Sequence, residues 1–88
     1  MPSYLVESYV ASSGAVDDAR ERARRTADLG AGVRYVRTTF LPGDETVLHL
    51  FEAPSLAVLD EAGRRAALPF ERIVEAVERS AKAKEEET

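Results

Sequence analysis

Tracts of period-two alternation and tracts of helical spacing are interleaved along this chain in a single order, and that order leaves few folds open. Ser3 to Val10 (Ser-Tyr-Leu-Val-Glu-Ser-Tyr-Val) alternates and is rich in Tyr, Leu and Val, which fits a half-buried strand. Ser12-Ser13-Gly14 then breaks the pattern with residues suited to capping a helix. From about Ala15 to Leu29 the apolar positions move to helical spacing, with Val16, Ala19, Ala23 and Ala27 in one stripe. Asp17 and Asp18 are expected in the first turn with arginines behind them, which complements the helix dipole, and Gly30 and Gly32 supply the stop. Val33 to Leu41 and Thr46 to Ala53 read as two further strands. The turn Pro42-Gly43-Asp44-Glu45 joins them into a hairpin. Ser55 caps a second helix that continues to about Ala66 and turns Leu56, Leu59, Ala62 or Gly63, and Ala66 toward the sheet. Pro69 ends that helix by disfavouring helical geometry at Leu68. Phe70 to Val77 supplies a fourth strand.

The order β-α-β-β-α-β is the split βαβ unit of the ferredoxin-like fold. Right-handed crossovers then predict an α+β sandwich with an antiparallel sheet in the order 4-1-3-2 and both helices on one face. Eighty-eight residues allow one small domain, over 1–79, with a charged flexible tail over 80–88.

Charge and composition remove several function classes. The formal charge is −4, whereas a nucleic-acid binder would carry a basic stripe. Arg20, Arg22, Arg24 and Arg25 do cluster, but Asp17, Asp18, Glu21 and Asp28 are interleaved with them, as on a solvated helix face. The absence of cysteine excludes disulfide frameworks, zinc ribbons and thiol nucleophiles. No apolar run approaches the roughly 18 residues of a membrane span, and the start lacks a signal-peptide core, so a cytoplasmic chain without membrane contact is expected. No nucleophile elbow, P-loop or dinucleotide fingerprint is present.

Alternation sorts the strand residues into two faces. Tyr4, Val6, Val10, Val36, Phe40, Leu48 and Leu50 form a plainly apolar set expected beneath the helices. Leu5, Glu7, Tyr9, Val33, Tyr35, Arg37, Thr39, Val47, His49 and Phe51 form a mixed set on the other face. For the fourth strand, Ile73, Glu75 and Val77 fit that second face about as well as Val74 and Ala76 do. So much apolar surface on a sheet face calls for a cover. With both helices used, that cover is a second copy, which gives a homodimeric α+β barrel with an enclosed space. A hairpin centred on Gly43 sets Arg37 opposite His49, the only histidine, and Tyr35 opposite Phe51. Glu7 on the first strand is then expected on the other side of His49, within side-chain contact.

The segments Val33-Arg34-Tyr35-Val36-Arg37-Thr38, Glu52-Ala53-Pro54-Ser55 and Arg64-Arg65-Ala66-Ala67-Leu68-Pro69, followed by Ile73-Val74-Glu75-Ala76-Val77, resemble a domain-of-unknown-function family of small ferredoxin-like proteins. The opening Tyr4-Leu5-Val6-Glu7 fits as well, so the resemblance spans most of residues 4 to 77. Some members of that family are nickel-binding. The resemblance implies a homodimer of ferredoxin-like protomers with a polar, metal-binding site. Members often carry cysteine in the third strand, where this chain has His49, and a histidine in the second helix near Ala62; this chain has neither.

Three functional readings follow. In the first, His49 is an interfacial histidine and Glu7 with Arg37 sets the register of the dimer. In the second, the site around His49 holds a small ligand, with Tyr9, Tyr35, Thr39 and Phe51 lining it, or a divalent metal such as nickel or zinc on His49 and Glu7. In the third, the space between two sheets is the pocket of a small cyclase, isomerase or monooxygenase. His49 is then the general acid or base, Glu7 orients it, and Arg37 or Tyr35 stabilises developing negative charge.

Overall fold

The computed structural model describes residues 1–77 and 79; the expected tail over 80–88 lies outside the described residues. Ser3–Tyr9 forms β1, Ser13–Leu29 α1, Arg34–Leu41 β2, Thr46–Glu52 β3, Leu56–Arg65 α2 and Arg72–Ala76 β4. A short 3-10 turn, Pro42–Asp44, closes the β2–β3 hairpin. The sheet order is β2-β3-β1-β4 and each pairing is antiparallel, so the fold is the expected ferredoxin-like α+β arrangement.

The helix ends follow local chemistry. Ser12 caps α1 by accepting from the Ala15 amide at 3.3 Å. Because α1 starts at Ser13, Asp17 and Asp18 fall in the second turn, and no acidic residue occupies the first. They pair along the helix instead, Asp17 with Arg20 at 3.6 Å and Asp18 with Arg22 at 3.0 Å. Gly30 ends α1 with its amide donating to Thr26 O. A Cβ on Gly30 would stand 2.5 Å from Val33 Cγ2 and 2.9 Å from Ala62 Cβ, so the absence of a side chain lets α1 close onto α2. Ser55 caps α2 through the Val58 amide at 3.2 Å. That helix stops before Pro69 takes effect. Ala67 turns left-handed at φ 57°, and the Leu68 amide donates back to Gly63 O at 2.9 Å, a Schellman closure with alanine where glycine is usual. Leu56, expected on the sheet, is 47% exposed, because the buried stripe of α2 is Leu59, Ala62 and Gly63.

Cross-strand register decides which residues the helices cover. β1 and β3 pair Tyr4 with Phe51, Val6 with His49, and Ser8 with Val47. Directly paired residues share a face. All six are buried, and Tyr4, Val6 and Phe51 pack with Ala23, Leu59 and Leu68 in the core. Leu5, Glu7 and Tyr9 therefore share the helix-free face with Leu48 and Leu50, since Glu7 pairs with Leu48 and Leu5 with Leu50. The β1 assignment stands as expected, whereas that of β3 is inverted. β3 has a strand on each side, and both of its residue sets are largely apolar, Val47 and Phe51 against Leu48 and Leu50. Alternation separates such sets without saying which one the helices take. β4 pairs Ile73 with Val6 and Val74 with Leu5, so Ile73 and Glu75 face the helices, and Arg72, Val74 and Ala76 face away.

β2 breaks alternation altogether. Its register with β3 steps from Tyr35–Phe51 to Arg37–Leu50, a β-bulge that adds Val36 to one strand. Beyond the bulge, Thr38 pairs with His49 and Phe40 with Val47, while Thr39 pairs with Leu48. Tyr35, Thr38 and Phe40 consequently lie on the helix side, and Arg37 and Thr39 on the helix-free side.

Candidate functional site

His49 occupies the middle of the central pair of strands with no exposed surface. Burial pushes its pKa down from 6.5 to about 4, because the surrounding protein solvates an imidazolium poorly. The ring is therefore neutral near pH 7. Its Nδ1 lies 2.7 Å from Thr38 Oγ1, and the same hydroxyl is hydrogen-bonded to Tyr35 Oη. Nε2 is buried and has no hydrogen-bond partner among the described residues. The Tyr35 ring stands edge-on to the imidazole, with centroids 6.4 Å apart, and tilts against Phe51 at 5.5 Å. One imidazole, one hydroxyl and one phenol thus form a continuous hydrogen-bonded chain.

The bulge makes this chain possible. In an uninterrupted strand, Tyr35 and Thr38, three residues apart, would point to opposite faces. The extra residue brings both onto the His49 side, which is the re-aiming that bulges perform beside functional sites.

Tyr35 and Thr38 open onto a groove of about 480 Å³ between α1 and the edge strand β2. From α1 it is lined by Val16, Asp17, Arg20 and Arg24. From β2, Val36 and Phe40 add apolar surface, and Arg37 borders the groove at the strand edge although its register puts it on the helix-free side. His49 does not line it. The imidazole stands behind the wall and communicates with the groove through Thr38 and Tyr35.

The expected constellation is thereby divided. Of the residues proposed around His49, Tyr35 and Phe51 are with it. Glu7, Tyr9, Arg37 and Thr39 belong by strand register to the opposite face of the sheet. The row Glu7–His49–Arg37 is corrected accordingly: Val6 and Thr38 are the residues paired with His49, and Glu7 is paired with Leu48. Glu7 has a different cationic partner, receiving Arg72 Nε at 3.2 Å and a second guanidinium nitrogen at 3.4 Å. His49 and Glu7 cannot share a metal ion within one chain. Among the described residues no group of three His, Cys, Asp or Glu is arranged to hold one. The described residues of one chain therefore do not assemble a three-donor set around His49 for nickel or zinc. A pocket between two sheets would not contain His49, because its ring faces the helices.

Thr38 and the α1 residues Arg20 and Arg24 were not expected at a site. No glycine or proline marks the bulge that recruits Thr38; Val36, the inserted residue, is an ordinary strand former. The α1 arginines read as a solvated face, and their position above β2 follows from helix packing alone.

No family model matches the sequence, and no curated protein matches it either. Among solved structures, the chain is similar to SCO4226 from Streptomyces coelicolor A3(2). The TM-score is 0.69 at 17% identity, over 89% of this chain and 99% of that one. At that identity the likeness concerns the fold. Among the described residues no helix is long and apolar enough to cross a membrane.

Proposed function

We propose that this chain binds a small organic molecule in the groove between α1 and β2, with the Tyr35 hydroxyl as its principal hydrogen-bonding contact. The observation that carries this reading is the Thr38 hydroxyl, which joins a fully buried histidine to a groove-lining phenol. A buried imidazole with an unpaired nitrogen costs about 1–3 kcal/mol. A core leucine would avoid that cost, so an imidazole held there is better explained by the hydroxyls it orients. The groove volume of about 480 Å³ suits a small ligand.

The test is a fragment screen on ¹⁵N-labelled protein. Ligands are expected to shift amides within residues 16–24 and 35–40, and Thr38→Val is expected to weaken them. Fragments that shift only β1 and β4, or none that shift the groove, would defeat the reading.

A second reading concerns assembly. Leu5, Leu48, Leu50 and Val74 share the helix-free face, and Val74 is 38% exposed. Two copies meeting through that face would bury Leu5, Leu48 and Val74 in a homodimer, Leu50 being buried already. Light scattering is expected to give twice the protomer mass, and Leu48→Glu to halve it; a monomeric wild-type chain would remove this reading.

A further inference from the structure

The direction in which the hydroxyls behind the groove wall donate specifies a ligand class, an inference that rests on the groove being the ligand site. Burial keeps the His49 ring neutral near pH 7, so it carries one proton, on Nδ1 or on Nε2. On Nε2 that proton would be a buried N–H with no acceptor among the described residues, a rare and costly arrangement. On Nδ1 it leaves only a lone pair unpaired. Nδ1–H then donates to Thr38 Oγ1 across 2.7 Å, and the single Thr38 hydroxyl hydrogen goes to Tyr35 Oη. Tyr35 Oη is the acceptor at the end of this chain, and its own hydrogen is left for an acceptor beyond it, where Tyr35 lines the groove. The chain binds and does not protonate. A proton passed outward from His49 would leave an imidazolate, a far stronger base than a phenolate, on a ring with no exposed surface from which to recover it.

The charged side chains around the groove already have partners. Arg20 lies 3.6 Å from Asp17, and Arg24 is 2.5 Å from Glu21. Arg37 belongs by register to the helix-free side and is itself engaged. An ionic ligand of either sign would have to displace one of these pairs, and an uncharged one would not. Val16, Val36 and Phe40 give the groove its apolar surface. A carbonyl oxygen answers the Tyr35 donor without bringing a proton of its own, whereas an alcohol or phenol would add a hydrogen where Tyr35 Oη already accepts from Thr38.

We infer that the groove takes a small uncharged carbonyl compound, its oxygen accepting from the Tyr35 hydroxyl and its apolar body lying on Val16, Val36 and Phe40. His49 and Thr38 are positioning residues that fix the Tyr35 hydroxyl as a donor.

The experiment titrates ¹⁵N-labelled full-length chain with acetophenone, toluene, phenol and benzoate. Acetophenone is expected to shift residues 16–24 and 35–40 and to bind more tightly than the other three, by about fivefold over toluene, as one net hydrogen bond implies. Tyr35→Phe and Thr38→Val are each expected to remove most of that preference while changing toluene binding by less than about twofold, and Thr38→Ser to keep it. The long-range ¹H–¹⁵N spectrum of His49 is expected to show the proton on Nδ1. Phenol or toluene binding at these residues as tightly as acetophenone would overturn the carbonyl inference, and benzoate doing so would overturn the uncharged class; each result leaves the groove as a ligand site. A preference that survives Tyr35→Phe would overturn the Tyr35 contact. One that survives Thr38→Val, or a proton on Nε2, would overturn the positioning by His49 and Thr38. Silence of the groove toward all four probes would overturn both this inference and the site it rests on.

Discussion

Acidifying the protein from pH 7.5 toward 4.5 places a proton on His49 in the unfolded chain while the folded chain resists it. The folded pKa is depressed from 6.5 to about 4 by burial, so between these values the unfolded state binds more protons. Stability contributed by the neutral ring is fully present above about pH 6.5, falls as the pH drops through the window, and stops falling below about pH 4. The slope approaches about 1.4 kcal/mol per pH unit and the full loss is about 3 kcal/mol. That is a large share of the roughly 5–15 kcal/mol by which a domain is stable. Urea unfolding followed by circular dichroism suits a chain without tryptophan, and His49→Gln supplies the reference. Carboxylates that titrate near the bottom of the window affect both proteins alike, so the difference between their stabilities isolates the imidazole. The wild-type advantage, or deficit, relative to His49→Gln is expected to move against wild type by about 2–3 kcal/mol between pH 7.5 and 4.5. A difference that stays constant with pH would mean that His49 is hydrated or paired in the folded state, and the argument from burial would fail.

Other perturbations test separate parts of the structure. Thr38→Val removes the hydroxyl bonded to both His49 and Tyr35 and is expected to cost about 1–3 kcal/mol in urea unfolding, whereas Thr38→Ser should recover most of it; equal losses in the two variants would point to packing instead. Ala67→Gly relieves a left-handed alanine at φ 57° and is expected to raise stability by about 0.5–1 kcal/mol, so a lower melting temperature would contradict the Schellman closure of α2. Glu7→Gln breaks an ion pair whose Arg72 side chain is 64% exposed and is expected to change stability by less than about 1 kcal/mol; a larger loss would show Glu7 bearing more than a surface contact.

The elements were legible because each rests on local physics. Ser12 and Ser55 cap the helices the spacing predicts, and Gly30 ends α1 where expected. The faces of β1 were legible too, since Tyr4 and Val6 alternate with Leu5 and a charged Glu7 that belongs near water. Pro69 predicts the end of α2, yet a left-handed Ala67 closes it first, an event that propensity disfavours and that Arg22 assists by donating to Ala67 O at 2.9 Å. The site was only half legible. The sequence pattern gathers Tyr35 and Phe51 around His49, but it adds Glu7 and Arg37 only if alternation is unbroken and β3 turns its other face to the helices.

Local patterning specifies the order β-α-β-β-α-β and, through chirality and short connections, the sheet order and the side on which both helices pack. It also makes His49 a strand residue with both neighbours on the opposite face. Which face that is depends on long-range pairing. β3 is covered by strands on both sides and is apolar in both registers, so its orientation is set by the pairing of Tyr4 with Phe51 and Val6 with His49, an interaction between residues more than forty positions apart. The bulge at Val36 has the same character. Its formation depends on how β2 is paired against β3, not on a residue that demands it, and it alone brings Thr38 to His49.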